Sequence, residues 1–192
     1  MNKQLNYAEI AAELRIENTF LKDTVEFTCE GTSMLPVMKE GDDILVRRTP
    51  VDQLWFGDLV TYEENGRFIT HRFLFAWLKQ NQEVLIVKPD NRLKFDNQLP
   101  ISRLVGKVVR IFREGQTVEI ETKSWRYASW MIGIMSLTEG LLYTALLTIK
   151  KILFKHLIVN PKVKKALFTF LQKPKELFSR TLLAFSVHQK PH

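Results

Sequence analysis

From Val25 to about Thr122 the sequence breaks into short apolar runs separated by turn residues: DDILVRR, GDLVTYEENGRFITHRFLFAWL, EVLIVKPDN and RLVGKVVRIFREGQTVEIET. Polar and apolar residues alternate within them, as in Thr117-Val118-Glu119-Ile120-Glu121, which is the period of a strand with one face in a core. Asn65-Gly66 and Glu114-Gly115 sit between such runs, where a hairpin turn fits. The pattern predicts a mostly β, largely antiparallel domain over 25–122. A strand-helix-strand rhythm and a glycine-rich phosphate loop are both missing, which argues against a nucleotide-binding fold.

The flanking segments follow a different period. In MNKQLNYAEIAAELRIENTFLKD, Tyr7, Ile10, Ala11 and Leu14 recur at helical spacing among charged residues, predicting an N-terminal helix over 1–24. Its apolar runs are too short for a signal peptide or membrane anchor. Beyond Trp125, YASWMIGIMSLTEGLLYTALLTI (127–149) is long enough for a bilayer, which takes about 20 apolar residues. Glu139 and Gly140 interrupt it, and a carboxylate at that depth costs about 2–3 kcal/mol. KKILFKHLIV, VKKALFTFLQK and KELFSRTLLAF then alternate lysine clusters with large apolar residues, punctuated by Pro161 and Pro174. Residues 123–192 are therefore expected to be helical, hydrophobic and basic, lying on a membrane surface through 127–185 or packing as a bundle on the β-domain or on a second copy.

Charge divides along the same boundary. Residues 1–122 carry 16 Lys/Arg against 19 Asp/Glu, a net of −3, whereas 123–192 carry 12 against 2, a net of +10. A basic segment interleaved with Leu, Phe and Ile suits an anionic membrane better than nucleic acid. The 192 residues, 45% of them hydrophobic, suffice for one core plus an appendage. With a single cysteine, Cys29, there is no internal disulfide, and the scattered histidines (71, 156, 188, 192) have no metal-ligand spacing. No metal and no cofactor is expected. Cys29 itself, in VEFTCEG, is read as a small apolar residue rather than a nucleophile.

In GTSMLPVMKEGDDILVRR (31–48) a turn-forming stretch runs into an apolar strand, holding the Ser33 hydroxyl on an irregular segment braced by a sheet. A serine hydroxyl needs a base, and the base needs an orienting partner. His71, in RFITHRFL, is the only histidine of the β-region; alternation puts it on one face with Ile69 and Phe73, and Arg72 on the other. Asp90 and Asp96, in VKPDNRLKFDNQ, are the carboxylates of a turn-rich segment, each of which could also cap backbone amides.

In this order, GTSMLPVMKEGD, GDLVTY, ITHRFL, VKPDNRLKFD and LVGKVVRI resemble the boxes of type I signal peptidases and the related LexA-type self-cleaving proteases, over roughly residues 25–112. The resemblance implies a signal-peptidase-like β-domain and a serine endopeptidase of the Ser-His branch. Ser33 falls on the nucleophile of the Ser-Met-x-Pro box, and His71 on the general base. Asp90 matches the aspartate of the Lys-Gly-Asp-Asn box, with Lys88 and Asn91 beside it. Asp96 matches the aspartate that completes the catalytic set; it is favoured as the orienting carboxylate, with Asp90 as the brace. Thr32, Met34 and Asn91 are assigned to oxyanion or substrate binding. Histidine, with a reference pKa near 6.5, serves as a base at neutral pH without the desolvation a lysine needs.

The departures from that family pattern are Pro89, where glycine is usual, and Gly31, where many signal peptidases carry a serine. The large second β-domain of the bacterial enzymes has no counterpart, and the usual N-terminal anchor is not found. The expected substrate is a precursor protein or leader peptide, cut by an enzyme held peripherally at the cytoplasmic face of the inner membrane; a single-pass arrangement is the alternative. A LexA-like self-cleaving protein and a non-catalytic peptide-binding scaffold on the same fold are the competing functions. The sequence leaves the oligomeric state undefined.

Overall fold

The structure, a computed structural model, describes residues 23–96 and 98–153, together with positions 169, 173 and 180 of the tail. The helix expected before residue 23 and the rest of the basic segment beyond 153 lie outside the described residues. Within them the chain is mostly antiparallel β-sheet with one C-terminal helix. Strands β1 (Thr24–Thr28), β2 (Asp43–Arg47), β3 (Leu59–Glu64), β4 (Arg67–Lys79), β5 (Gln82–Lys88), β6 (Leu99–Pro100), β7 (Leu104–Arg113) and β8 (Gln116–Glu119) form one sheet. Its order is β1-β2-β7-β3-β4-β5-β6, with β8 also paired to β7.

Tight turns fix the registers. Asn65 and Gly66 have φ of 54° and 77° and connect Glu64 to its partner Arg67; Glu114 and Gly115, at 50° and 76°, do the same for Arg113 and Gln116. Positive φ at both central residues is the geometry whose twist matches a two-stranded ribbon. Gln80 and Asn81 make a further such turn between Lys79 and Gln82, with φ of 48° and 62°. No glycine marks it; the long β4–β5 ladder holds it closed.

Alternation along the strands separates two buried clusters. Val60, Tyr62, Phe73, Leu85, Val87 and Leu99 form one, beside His71. The other gathers Met34, Val37 and Met38 from the Ser33 turn with Ile44, Val46, Leu59, Val108 and Ile111 from the strands, and is closed by Trp125 and Ile132 of helix α1 (Lys123–Leu153). The Thr122 hydroxyl accepts the Trp125 N–H at 3.2 Å and so caps the helix start.

Helix α1 lies on the sheet through Trp125, Ala128, Ser129, Ile132, Gly133, Ser136, Glu139 and Gly140, spaced three and four apart along one face. Close approach explains its glycines: a Cβ on Gly133 would stand 2.7 Å from the Phe56 ring, and one on Gly140 2.3 Å from the Phe95 ring. Glu139, read from the sequence as the interruption of an apolar span, is buried and accepts a hydrogen bond from the equally buried Lys88 ammonium at 3.1 Å. Over 123–149 the helix is long and apolar enough to cross a membrane by length and composition, but its first half is packed on the β-domain. Leu141, Leu142, Leu146, Leu147 and Ile149 are exposed beyond that contact.

Removing one partner of a buried ion pair leaves the other charge poorly compensated, at a cost of about 3–5 kcal/mol. Glu139→Ala is therefore expected to lower unfolding stability by that order, and more than Thr138→Ala on the neighbouring exposed position. Urea unfolding followed by circular dichroism measures both.

Candidate active site

Three segments meet at Ser33. The first is the turn that carries it, between β1 and β2. Its base is closed by backbone hydrogen bonds from Cys29 N–H to Asp42 O (2.7 Å) and from Gly41 N–H to Cys29 O (2.9 Å), with Gly41 at φ 85°. Inside it, Leu35 N–H reaches Thr32 O at 3.3 Å, Met38 N–H reaches Met34 O at 3.0 Å, and the Leu35–Pro36 bond is cis. The Asp42 carboxylate accepts the Lys39 N–H at 2.7 Å and pairs with the Arg113 guanidinium, which also donates to Val37 O at 3.0 Å. The Gly-Asp that follows the Ser-Met-Leu-Pro run thus shuts the turn and ties it to β7. Met34 and Val37 plug the core from within it.

The second segment is β4, which presents His71; the third is the stretch after β5, which supplies Asp96. Asn91 joins the first and third: its N–H donates to Ser33 O at 2.8 Å and its side-chain amide to Thr32 O at 3.1 Å. The Asp96 N–H returns to Val87 O at 3.2 Å.

These braces bring Ser33 Oγ to 3.1 Å from His71 Nε2, while His71 Nδ1 is hydrogen-bonded to Asp96 Oδ2. The imidazole is buried, whereas the Asp96 side chain keeps 24% of its surface exposed. The buried Tyr62 hydroxyl stands 3.0 Å from His71 Nδ1 and donates to Asp96 Oδ2 at 3.3 Å. Burial first, then the Asp96 charge, push the Tyr62 phenol well above its ordinary range, so it remains an O–H donor. An ionised carboxylate only accepts, so in the neutral imidazole Nδ1 carries the ring proton and Nε2 presents a lone pair to the Ser33 hydroxyl. The hydroxyl can therefore donate to Nε2. That is the proton arrangement in which a serine becomes a nucleophile.

Asp90 stands apart from the imidazole. Arg72, next to His71 and on the opposite face of β4, donates to it through Nε at 2.9 Å and through a second nitrogen at 2.6 Å. The same guanidinium reaches Gly57 O at 2.6 Å and Ser129 Oγ at 2.7 Å, and the Ser136 hydroxyl donates to Asp90 at 3.3 Å. Of the residues assigned to oxyanion or substrate binding, Asn91 spends its side chain on Thr32, and Met34 has its side chain in the core, which leaves it only its backbone to offer. The Thr32 side chain is exposed beside Ser33.

Tyr62 is the site residue that sequence reasoning passed over. In GDLVTY it looks like any aromatic residue of a strand; only the β3–β4 register, pairing Tyr62 with Ile69 and Val60 with His71, puts it beside the imidazole. Among the described residues, no cluster of three or more His, Cys, Asp or Glu side chains could hold a metal ion. Compared with family models and with curated proteins, the sequence matches none.

Burial, with the nearby Asp42 and Asp43 charges, pushes the Cys29 thiol up to about 12. Between its ordinary value of 9.0 and about 12 the folded protein keeps a proton that the unfolded chain has lost. Its contribution to stability is therefore full below pH 9 and lost as the pH rises through 12. At pH 8 the thiol is expected to react with iodoacetamide far more slowly in the folded than in the urea-unfolded protein. Equal rates by mass spectrometry would contradict that burial.

Proposed function

We propose that the chain is a serine endopeptidase of the signal-peptidase type, acting on a precursor protein or leader peptide. The observation that carries this reading is the continuous hydrogen-bonded chain from Ser33 through His71 to Asp96. Each member has an alternative as an ordinary structural residue; together, with both imidazole nitrogens engaged, they have the roles of nucleophile, base and orienting carboxylate.

In the proposed reaction Ser33 Oγ attacks the scissile carbonyl carbon as its proton passes to His71 Nε2. Asp96 stabilises the resulting imidazolium through Nδ1–H, and Tyr62 holds Asp96 in place. The imidazolium then gives its proton to the departing amine as the C–N bond breaks, leaving an acyl ester on Ser33. Water, giving a proton to His71 Nε2, attacks the ester carbon; the bond from that carbon to Ser33 Oγ breaks, the acid product leaves, and the imidazolium returns its proton to Oγ. Backbone amides of the Ser33 turn are the donors proposed for the oxyanion, an interaction worth about 3–4 kcal/mol per donor.

The test is labelling of the full-length protein with a fluorophosphonate probe, read by mass spectrometry. A Ser33 adduct is expected, absent in Ser33→Ala and strongly reduced in His71→Ala and Asp96→Ala. Tyr62→Phe removes one hydrogen bond of about 1 kcal/mol and should slow labelling about fivefold. No adduct on folded protein would refute the enzymatic reading in favour of a peptide-binding module.

We further propose peripheral attachment to an anionic membrane. Exposed Tyr127 and Trp130, stacked with ring centroids 6.3 Å apart, the exposed leucines after Gly140 and the +10 net charge of residues 123–192 support it. Salt-sensitive co-sedimentation with phosphatidylglycerol vesicles is expected, and much weaker binding to phosphatidylcholine alone. Carbonate-resistant insertion would favour the single-pass arrangement.

A further inference from the structure

The contacts between α1 and the segment after β5 converge on the residues leading to Asp96. Lys88, at the end of β5, is held by Glu139; Asp90 is held by Arg72 and Ser136; and Phe95, covalently next to Asp96, lies on Gly140. Glu139 and Gly140 are adjacent, so one turn of the helix touches both ends of the segment 88–96. From this we infer that α1 is a positioning element for the proposed catalytic carboxylate, Gly140 being the seat that lets Phe95 lie flat enough for Asp96 to reach His71 Nδ1. The inference deepens the endopeptidase reading and rests on it for the role of Asp96.

Space, rather than backbone freedom, is what Gly140 supplies. It lies inside a regular helix, where alanine is the better residue, and a Cβ there would meet three atoms of the Phe95 ring at 2.3, 2.6 and 2.8 Å. An alanine would therefore strengthen the helix while forcing the ring outward. The atoms met are the far end of the ring, so the ring first swings about its own torsions; what that rotation does not absorb passes through the Phe95 backbone to Asp96, the next residue, while Asp90 stays bound to the Arg72 guanidinium. Misplacement by this route acts on the imidazole through its Nδ1 partner and leaves the Ser33 turn alone. Gly133 is likewise seated against a ring, with a Cβ there 2.7 Å from Phe56, and Phe56 is not next to Asp96, which makes Gly133→Ala the natural control.

The experiment compares full-length Gly140→Ala with the wild type in two ways. In proton NMR, the low-field signal of the His71 Nδ1–H is expected to be lost or shifted upfield, as in Asp96→Ala, and restored in Phe95→Leu/Gly140→Ala. In fluorophosphonate labelling, Gly140→Ala should slow acylation of Ser33 by about tenfold to a hundredfold. The same substitution on an Asp96→Ala background should add nothing, because its effect passes through that carboxylate. An unchanged Nδ1–H signal, or an independent further slowing on the Asp96→Ala background, would overturn the inference. If wild-type protein is not acylated at all, the endopeptidase reading fails, and the NMR comparison still decides whether α1 positions Asp96. Should Gly140→Ala not fold, Phe95→Ala, which empties the seat that leucine would still fill, is expected to shift the same Nδ1–H signal, and an unchanged signal would overturn the inference.

Discussion

Arg72 is the side chain on which the arrangement turns. Fully buried, it forms a forked pair with Asp90 and donates to the Gly57 carbonyl and the Ser129 hydroxyl. A guanidinium in an apolar interior is tolerable only when its donors are met by acceptors of matching geometry. Those acceptors come from the turn before β3, the segment after β5, and α1. One charge thereby ties three otherwise separate parts of the chain to the middle of β4, and a helix that could have been a loose appendage becomes part of the domain.

The neighbour of that arginine is the proposed base. Because successive residues of a strand face opposite ways, His71 and Arg72 look into different halves of the molecule. Each takes its own aspartate, Asp96 for the imidazole and Asp90 for the guanidinium. Both carboxylates lie within one short stretch, and Asn91 between them is bonded to the backbone of Thr32 and Ser33. A buried ion pair on one face of β4 and the proposed proton relay on the other thus involve adjacent residues.

Much of this was legible in the residues themselves. The alternation and turn residues were enough for the antiparallel β class, and the resemblance carried by the ordered boxes pointed to Ser33, His71 and the two aspartates. The Gln80-Asn81 turn was not legible, because nothing in Lys-Gln-Asn-Gln carries the glycine that usually signals positive φ; the pairing of β4 with β5 imposes it. Nor was Tyr62, whose placement depends on a cross-strand register. Glu139 was legible as an anomaly in an apolar stretch, but its meaning was not: an isolated carboxylate looks costly in lipid and becomes ordinary once Lys88 is against it.

What the sequence by itself determined is what depends on neighbours along the chain: strand periodicity, the glycine-marked turns, the closing Gly41-Asp42 and the division of charge between domain and tail. Tertiary structure alone decided which carboxylate reaches His71 and which reaches Arg72, that Trp125 is buried, and why Gly133 and Gly140 stand in a helix. The physical reason is range. Backbone preferences and hydrophobic alternation act within a few residues, whereas hydrogen bonding, ion pairing and steric fit join groups such as Lys88 and Glu139 that only folding brings within 3.1 Å of each other.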